Sequence, residues 1–144
     1  MHVETIKYET YDGVEVEEDF RFNLSKAELM RMEMSQYGGM QALLEKIVKE
    51  QDTKRIYNMF EDIIQKAYGV KSDDGKQFIK NQEILDRFVQ SEAYSNLIMK
   101  MLEDADFAAK FIRNTFPKDV QEQMDKEDGL PKKVNNPIPA PPVK

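Results

Sequence analysis

Cysteine is absent from the 144-residue chain. Disulfides, thiolate nucleophiles and zinc sites that need sulfur ligands are therefore excluded. Histidine occurs once, at His2 beside the N-terminus, where the end of the chain is expected to fray. Ser–His and Cys–His nucleophile pairs thus have no base to draw on, and any metal site would have to be all-carboxylate. No apolar run approaches the ~20 residues of a membrane span, or the about 7–15 of a signal-peptide core. No membrane partner is expected, and the chain reads as made and used in cytosol. Basic charge is also short: 21 Lys and Arg stand against 27 Asp and Glu, a net charge of −6. There is no global positive field to attract a phosphate backbone, so nucleic acid is not an expected partner.

What remains is a hydrophobic share of 40% beside a charged share of 33%, enough for one modest core and one domain. The acidity is concentrated at the front. Residues 1–24 hold Glu4, Glu9, Asp12, Glu15, Glu17, Glu18 and Asp19 against Lys7 and Arg21 only, a balance of −5. The same segment reads as a β-hairpin: Thr5, Ile6, Tyr8, Thr10 and Tyr11 precede Asp12-Gly13, whose φ > 0 tolerance suits a tight turn. Val14, Val16, Phe20 and Phe22 then alternate with Glu15, Glu17, Asp19 and Arg21. An isolated hairpin is marginal, so this one must pack on the helices or on a partner. At the other end, Pro131, Pro137, Pro139, Pro141 and Pro142 preclude a helix, because proline lacks the N–H and clashes with the preceding turn.

Between these ends the pattern is helical. Ser25 with Glu28 forms a capping box worth on the order of 1 kcal/mol, opening a helix over about 26–36 that Gly38-Gly39 ends. Met40, Leu43, Leu44, Ile47 and Val48 keep the spacing of an amphipathic helix. Asp52 caps a third, with Ile56, Tyr57, Phe60, Ile63, Ile64 and Ala67 inward, and Gly69 is expected to close it in a left-handed C′ position. A polar loop from Lys71 to Gly75 and the apolar pair Phe78-Ile79 follow. Asn81 and Ser91 each open a helix, and Asp104 or Asp106 starts the last core helix, which carries Phe107, Ala108, Phe111, Ile112 and Phe116 up to Pro117. Lys118 to Lys126 offers one weak helix with only Val120 and Met124 to bury.

Catalytic and ligand motifs fail on spacing. Glu61-Asp62, Glu103-Asp104 and Asp106 are acids of the kind usually solvated or placed at helix N-termini. Aligning Gly75 with the glycine of a calcium-binding EF-hand loop puts Val70 and Asn81 where carboxylates are required. A phosphate-binding loop would need glycine at Val70. Ser72 to Lys76 is therefore read as an exposed turn. No catalytic residue, cofactor or metal is expected, and the chain is not expected to be an enzyme. The candidate partner-binding residues are Met30, Met32, Met34 and Met40, because thioethers adapt to irregular apolar surfaces. Core filling is the competing reading: Met30 and Met34 lie i, i+4 on the face that also takes Ala27, whereas Met32 points elsewhere, so at least one of them is expected to stay exposed.

The stretch Tyr68-Gly69-Val70-Lys71-Ser72-Asp73-Asp74-Gly75-Lys76-Gln77-Phe78-Ile79-Lys80 resembles the tail assembly chaperones of long-tailed siphophages. Phe88-Val89-Gln90-Ser91-Glu92-Ala93-Tyr94-Ser95, the run from Ala105 to Asn114, and the opening Phe22-Asn23-Leu24-Ser25-Lys26-Ala27-Glu28-Leu29 are similar to the same family, in order over roughly residues 20–117. The likeness is to the short, unshifted product; the family often makes a longer one by ribosomal frameshifting near the end of the gene. The resemblance implies a non-enzymatic protein of the host cytoplasm that binds the tape measure protein and recruits major tail tube subunits, then leaves the finished tail. Self-association is left open, and a small acidic helical adaptor or regulatory module is the alternative. The expected fold is mainly α, a small bundle of about five to six helices. The expected division is a β-hairpin over 1–24, a helical domain over 25–117, and a weak helix with a flexible Pro-rich tail over 118–144.

Overall fold

The computed structural model describes residues 1–32, 40–49 and 51–128. The Gly38-Gly39 break, Met34 and the Pro-rich end lie outside them. Strands β1 (His2–Glu9) and β2 (Glu15–Phe22) come first, followed by helices α1 (Lys26–Arg31), α2 (Met40–Lys49) and α3 (Thr53–Ala67). Strands β3 (Tyr68–Lys71) and β4 (Phe78–Ile79) then precede α4 (Gln82–Val89), α5 (Glu92–Glu103), α6 (Ala105–Asn114) and α7 (Lys118–Asp128).

The four strands form one antiparallel sheet in the order β1-β2-β3-β4. With seven helices among the described residues, the architecture is mixed α and β, which corrects the expected mainly α bundle of five to six helices. The N-terminal hairpin is half of a larger sheet. The other half escaped periodicity because β3 and β4 span only four and two residues, too short for an alternation to register. Gly69 is corrected with it. Tyr68 already leaves α3 in an extended conformation, at φ −67° and ψ 142°, and Gly69 lies within β3. Its glycine is required by close approach: a Cβ there would sit 2.6 Å from the Phe78 ring and 2.9 Å from the Ile79 carbonyl oxygen.

Local signals account for most helix starts. Ser25 and Glu28 close the capping box, with Glu28 N–H to Ser25 Oγ at 3.1 Å and Ser25 N–H to Glu28 Oε1 at 2.9 Å. Asp52 accepts from Lys54 and Arg55 N–H, Asn81 from Ile84 N–H, and Asp104 from Phe107 N–H. Ser91 precedes α5 without a side-chain cap; its hydroxyl donates instead to the Phe88 carbonyl at 2.7 Å.

The even-numbered face of the hairpin turns toward the helices. Ile6 and Phe22 are buried, and Phe20 packs against the core. Phe22 lies within 6 Å of the Tyr68, Phe88 and Phe111 rings, and Tyr68 stacks on Phe88 at 4.3 Å and 18°. Phe60, Ile63, Ile64, Leu97, Met101, Ile112 and Phe116 complete the interior, each contributing about 1.5–3 kcal/mol by burial. Met124 of α7 is also buried, and the Arg113 guanidinium binds Asp125 at 2.7 Å.

Candidate functional site

The acids named as weak catalytic candidates have structural roles or face solvent. Glu61 accepts the Tyr94 hydroxyl at 2.7 Å, Asp62 pairs with Lys66 at 3.0 Å, Asp104 caps α6, and Glu103 and Asp106 are exposed. Burial pushes the Tyr94 phenol up, with Glu61 adding to the shift against the opposing Gln65. The Tyr94 hydroxyl thus bridges two elements, donating to Glu61 and accepting from Gln65 Nε2 at 2.9 Å. The Tyr8 phenol is raised too: its hydrogen bond to Glu18, then burial and the Glu18 charge, push it up to about 12.

His2 is ordered rather than frayed. It opens β1, binds Glu4 Oε1 through Nε2 at 2.8 Å and rests on the Phe111 ring with centroids 4.5 Å apart. Ser72 to Gln77 forms the exposed turn, with Gly75 at φ +74°. Asp74 accepts from Lys76 N–H at 3.0 Å and from Ser72 Oγ at 2.8 Å, and these bonds hold its carboxyl below the usual range. Among the described residues no group of three acids or histidines is placed to hold a metal, and no helix is long and apolar enough to cross a membrane.

Two surfaces remain. The first surrounds α1. Met30 is 81% exposed, the largest exposure among the large hydrophobic side chains described. Met32 is half-buried and lines a groove of about 250 Å³ with Leu24, Glu28, Arg31 and Lys66. Met40 begins α2 and Met34 lies outside the described residues; of Met30 and Met32, which belong to α1 and its C-cap, only Met32 lines the groove. Leu29 anchors α1 in the core, and two ion pairs tether it, Glu28 to Lys80 at 2.6 Å and Lys26 to Asp119.

Lys80 carried no signal in the sequence, because lysines are ordinarily solvated. Its Nζ donates to the Asn23 carbonyl at 2.7 Å, the Lys66 carbonyl at 2.7 Å and Glu28 Oε2 at 2.6 Å. One ammonium thereby joins the end of β2, the first turn of α1, and the C-terminus of α3, whose negative carbonyl end favours a cation. Burial lowers the Lys80 ammonium against the pull of Glu28. Burial works against the Glu28 carboxylate as well, but Lys80 and Ser25 outweigh it and hold Glu28 below the usual carboxylate range.

The second surface is the outer face of the β1–β2 hairpin. Thr5, Lys7, Glu9, Glu15, Glu17 and Asp19 are all exposed there. Lys7 faces Glu17, Thr5 Oγ1 donates to Asp19 at 2.6 Å, and Glu9 stands directly opposite Glu15.

Among the described residues, neither surface holds a constellation of nucleophile, base and oxyanion donors. No curated protein and no solved structure matches the chain. A family model described as a phage tail assembly chaperone matches residues 1–142. That span takes in the acidic hairpin, the sheet and every described helix, so the chain belongs to the phage tail assembly chaperones.

Proposed function

We propose that this chaperone binds the tape measure protein in many copies, recruits major tail tube subunits to it, and leaves before the tail is finished. The role is non-enzymatic and is carried out in the host cytoplasm. The observation that carries this reading is the family match over residues 1–142. The α1 surface supports it, because Met30 is exposed and the half-buried Met32 lines a groove with Leu24, and thioethers adapt to varied helical partners. Met34 and Met40 belong to the same contact run in this reading.

Co-expression with the tape measure protein of the same phage tests it. The tape measure should stay soluble and co-purify with several copies of the chaperone. Met30→Glu should reduce capture while leaving the helical signal intact, since the side chain it replaces is already in solvent. A tape measure that aggregates equally with and without the chaperone, and never co-purifies, would overturn the reading.

A further inference from the structure

Among the described residues, strand β2 is fully paired along one edge and open along most of the other. Toward β1 it makes eight pairs, from Glu15 with Glu9 to Phe22 with His2; toward β3 it makes two, Arg21 with Gly69 and Phe22 with Tyr68. The bond closing the first hairpin, Thr10 N–H to the Val14 carbonyl at 2.8 Å, fixes which groups point where. Hydrogen-bonded pairs recur every second residue in an antiparallel ladder, so the even-numbered residues of β2 direct their N–H and C=O groups to β1. The odd-numbered ones turn the other way. Arg21 meets Gly69 there, and Asn23 N–H extends the row to the Ala67 carbonyl at 2.8 Å. Glu15, Glu17 and Asp19 turn to the same side, where the ladder to β3 has already ended. Beside them is a notch of about 290 Å³ lined by Asp19, Phe20, Arg21, Tyr68, Val70 and Lys71.

We propose that the Glu15–Phe20 edge of β2 receives an extended segment of another protein as an added strand, with Lys or Arg at alternate positions and apolar residues between them. Six residues of open edge span about 20 Å and present a row of donors and acceptors, which is a template for strand addition. Alternation selects the side chains. On the outer face an added strand runs beside exposed Glu15, Glu17 and Asp19, and Glu9 directly opposite Glu15 is a like-charge pair that an incoming cation would relieve. On the other face the strand would meet half-buried Val16 and Phe20, with Val70 and Ile79 still 42% and 37% exposed. A second copy is the wrong occupant, because a two-fold pairing of β2 with itself would align Glu15, Glu17 and Asp19 with the same acids. This inference goes beyond the tape measure reading and stands without it.

The test uses the full chain and an alternating peptide, acetyl-Lys-Val-Lys-Val-Lys-Val-Lys-amide, followed by NMR amide exchange. At saturation the Glu15, Glu17 and Asp19 amides should slow by about tenfold or more as they gain partners, whereas Val16, Glu18 and Phe20, already bonded to β1, should hardly change. Glu17→Pro deletes one outward N–H without touching the β1 ladder, and should weaken the peptide by about tenfold. Should that variant lose its fold, Glu17→Lys, which reverses one charge and keeps the edge, should weaken binding in its place. A peptide of the same composition in scrambled order should bind more weakly. No binding, protection without the odd-even pattern, equal binding of the scrambled peptide, or undiminished binding by a folded Glu17 variant would overturn the proposal.

Discussion

In the hairpin from His2 to Phe22, eight cross-strand pairs follow a turn in which Gly13 sits at φ +83°. In the hairpin from Tyr68 to Ile79, two pairs follow a turn in which Gly75 sits at φ +74°. The turn chemistry is shared, yet the means of support differ. The first hairpin is held along its length by its own ladder and by Ile6, Phe20 and Phe22 against the helices. The second has too few pairs to persist alone. It is held by the Phe78 ring lying over Gly69 and by Lys80, just past β4, reaching three acceptors on other elements. A turn residue can start a hairpin, but strand length and tertiary contacts decide whether it remains.

The largest perturbation of this comparison should come from Phe22→Ala, because Phe22 pairs with His2 on one side and Tyr68 on the other and is fully buried. A loss of about 3–5 kcal/mol in urea unfolding is expected, with both hairpins affected. Gly69→Ala should act on the second hairpin alone. Its new methyl would press on the Phe78 ring and the Ile79 backbone, at a cost of about 1–3 kcal/mol, with faster amide exchange across β3 and β4 while β1 and β2 stay protected. Lys80→Met should cost about 1–2 kcal/mol by stranding the Asn23 and Lys66 carbonyls and the Glu28 carboxylate, and should loosen α1 as well. Gly13→Ala and Gly75→Ala should each cost about 1 kcal/mol, since both place a Cβ on a left-handed backbone. Unequal losses would show that the two turns are not equivalent.

The smallest expected effect is pH-dependent. Glu28 has a lowered pKa in the folded chain, so it binds fewer protons than in the unfolded chain near its ordinary value. The stability it contributes is present above the ordinary carboxylate pKa and disappears as pH falls through the folded value. The α1 amides, Leu29 above all, should therefore exchange faster in that acidic range, before the β1–β2 ladder is affected. Equal sensitivity of the two regions would remove Glu28–Lys80 as the tether of α1.

Features that need only neighbours in sequence were legible before the structure: the Asp12-Gly13 turn with its alternating strands, the Ser25–Glu28 capping box, the caps at Asp52 and Asn81, and most of the apolar stripes of α3, α5 and α6. Each rests on backbone groups or side chains a few residues apart, where spacing alone carries the geometry. Two details were not legible: Tyr57, expected inward on α3, is exposed while Met59 is buried, and of Asp104 and Asp106 the cap is Asp104. Met30 and Met32 could be named as contact residues on composition, but helix spacing set Met32 apart from the Met30 face, and it is Met30 that is exposed and Met32 that packs against the core, because where α1 docks decides which face is covered. Contacts between residues distant in sequence decided the rest. Gly69 reads as a helix stop until Phe78 is seen lying over it, and Lys80 reads as one more solvated cation until Asn23, Glu28 and Lys66 converge on it. The open edge of β2 exists only because β3 joins it at Arg21 and Phe22 and then diverges. Alternating side chains specify a strand, but which strand borders it, and over how many residues, is set by the packing of the remaining chain.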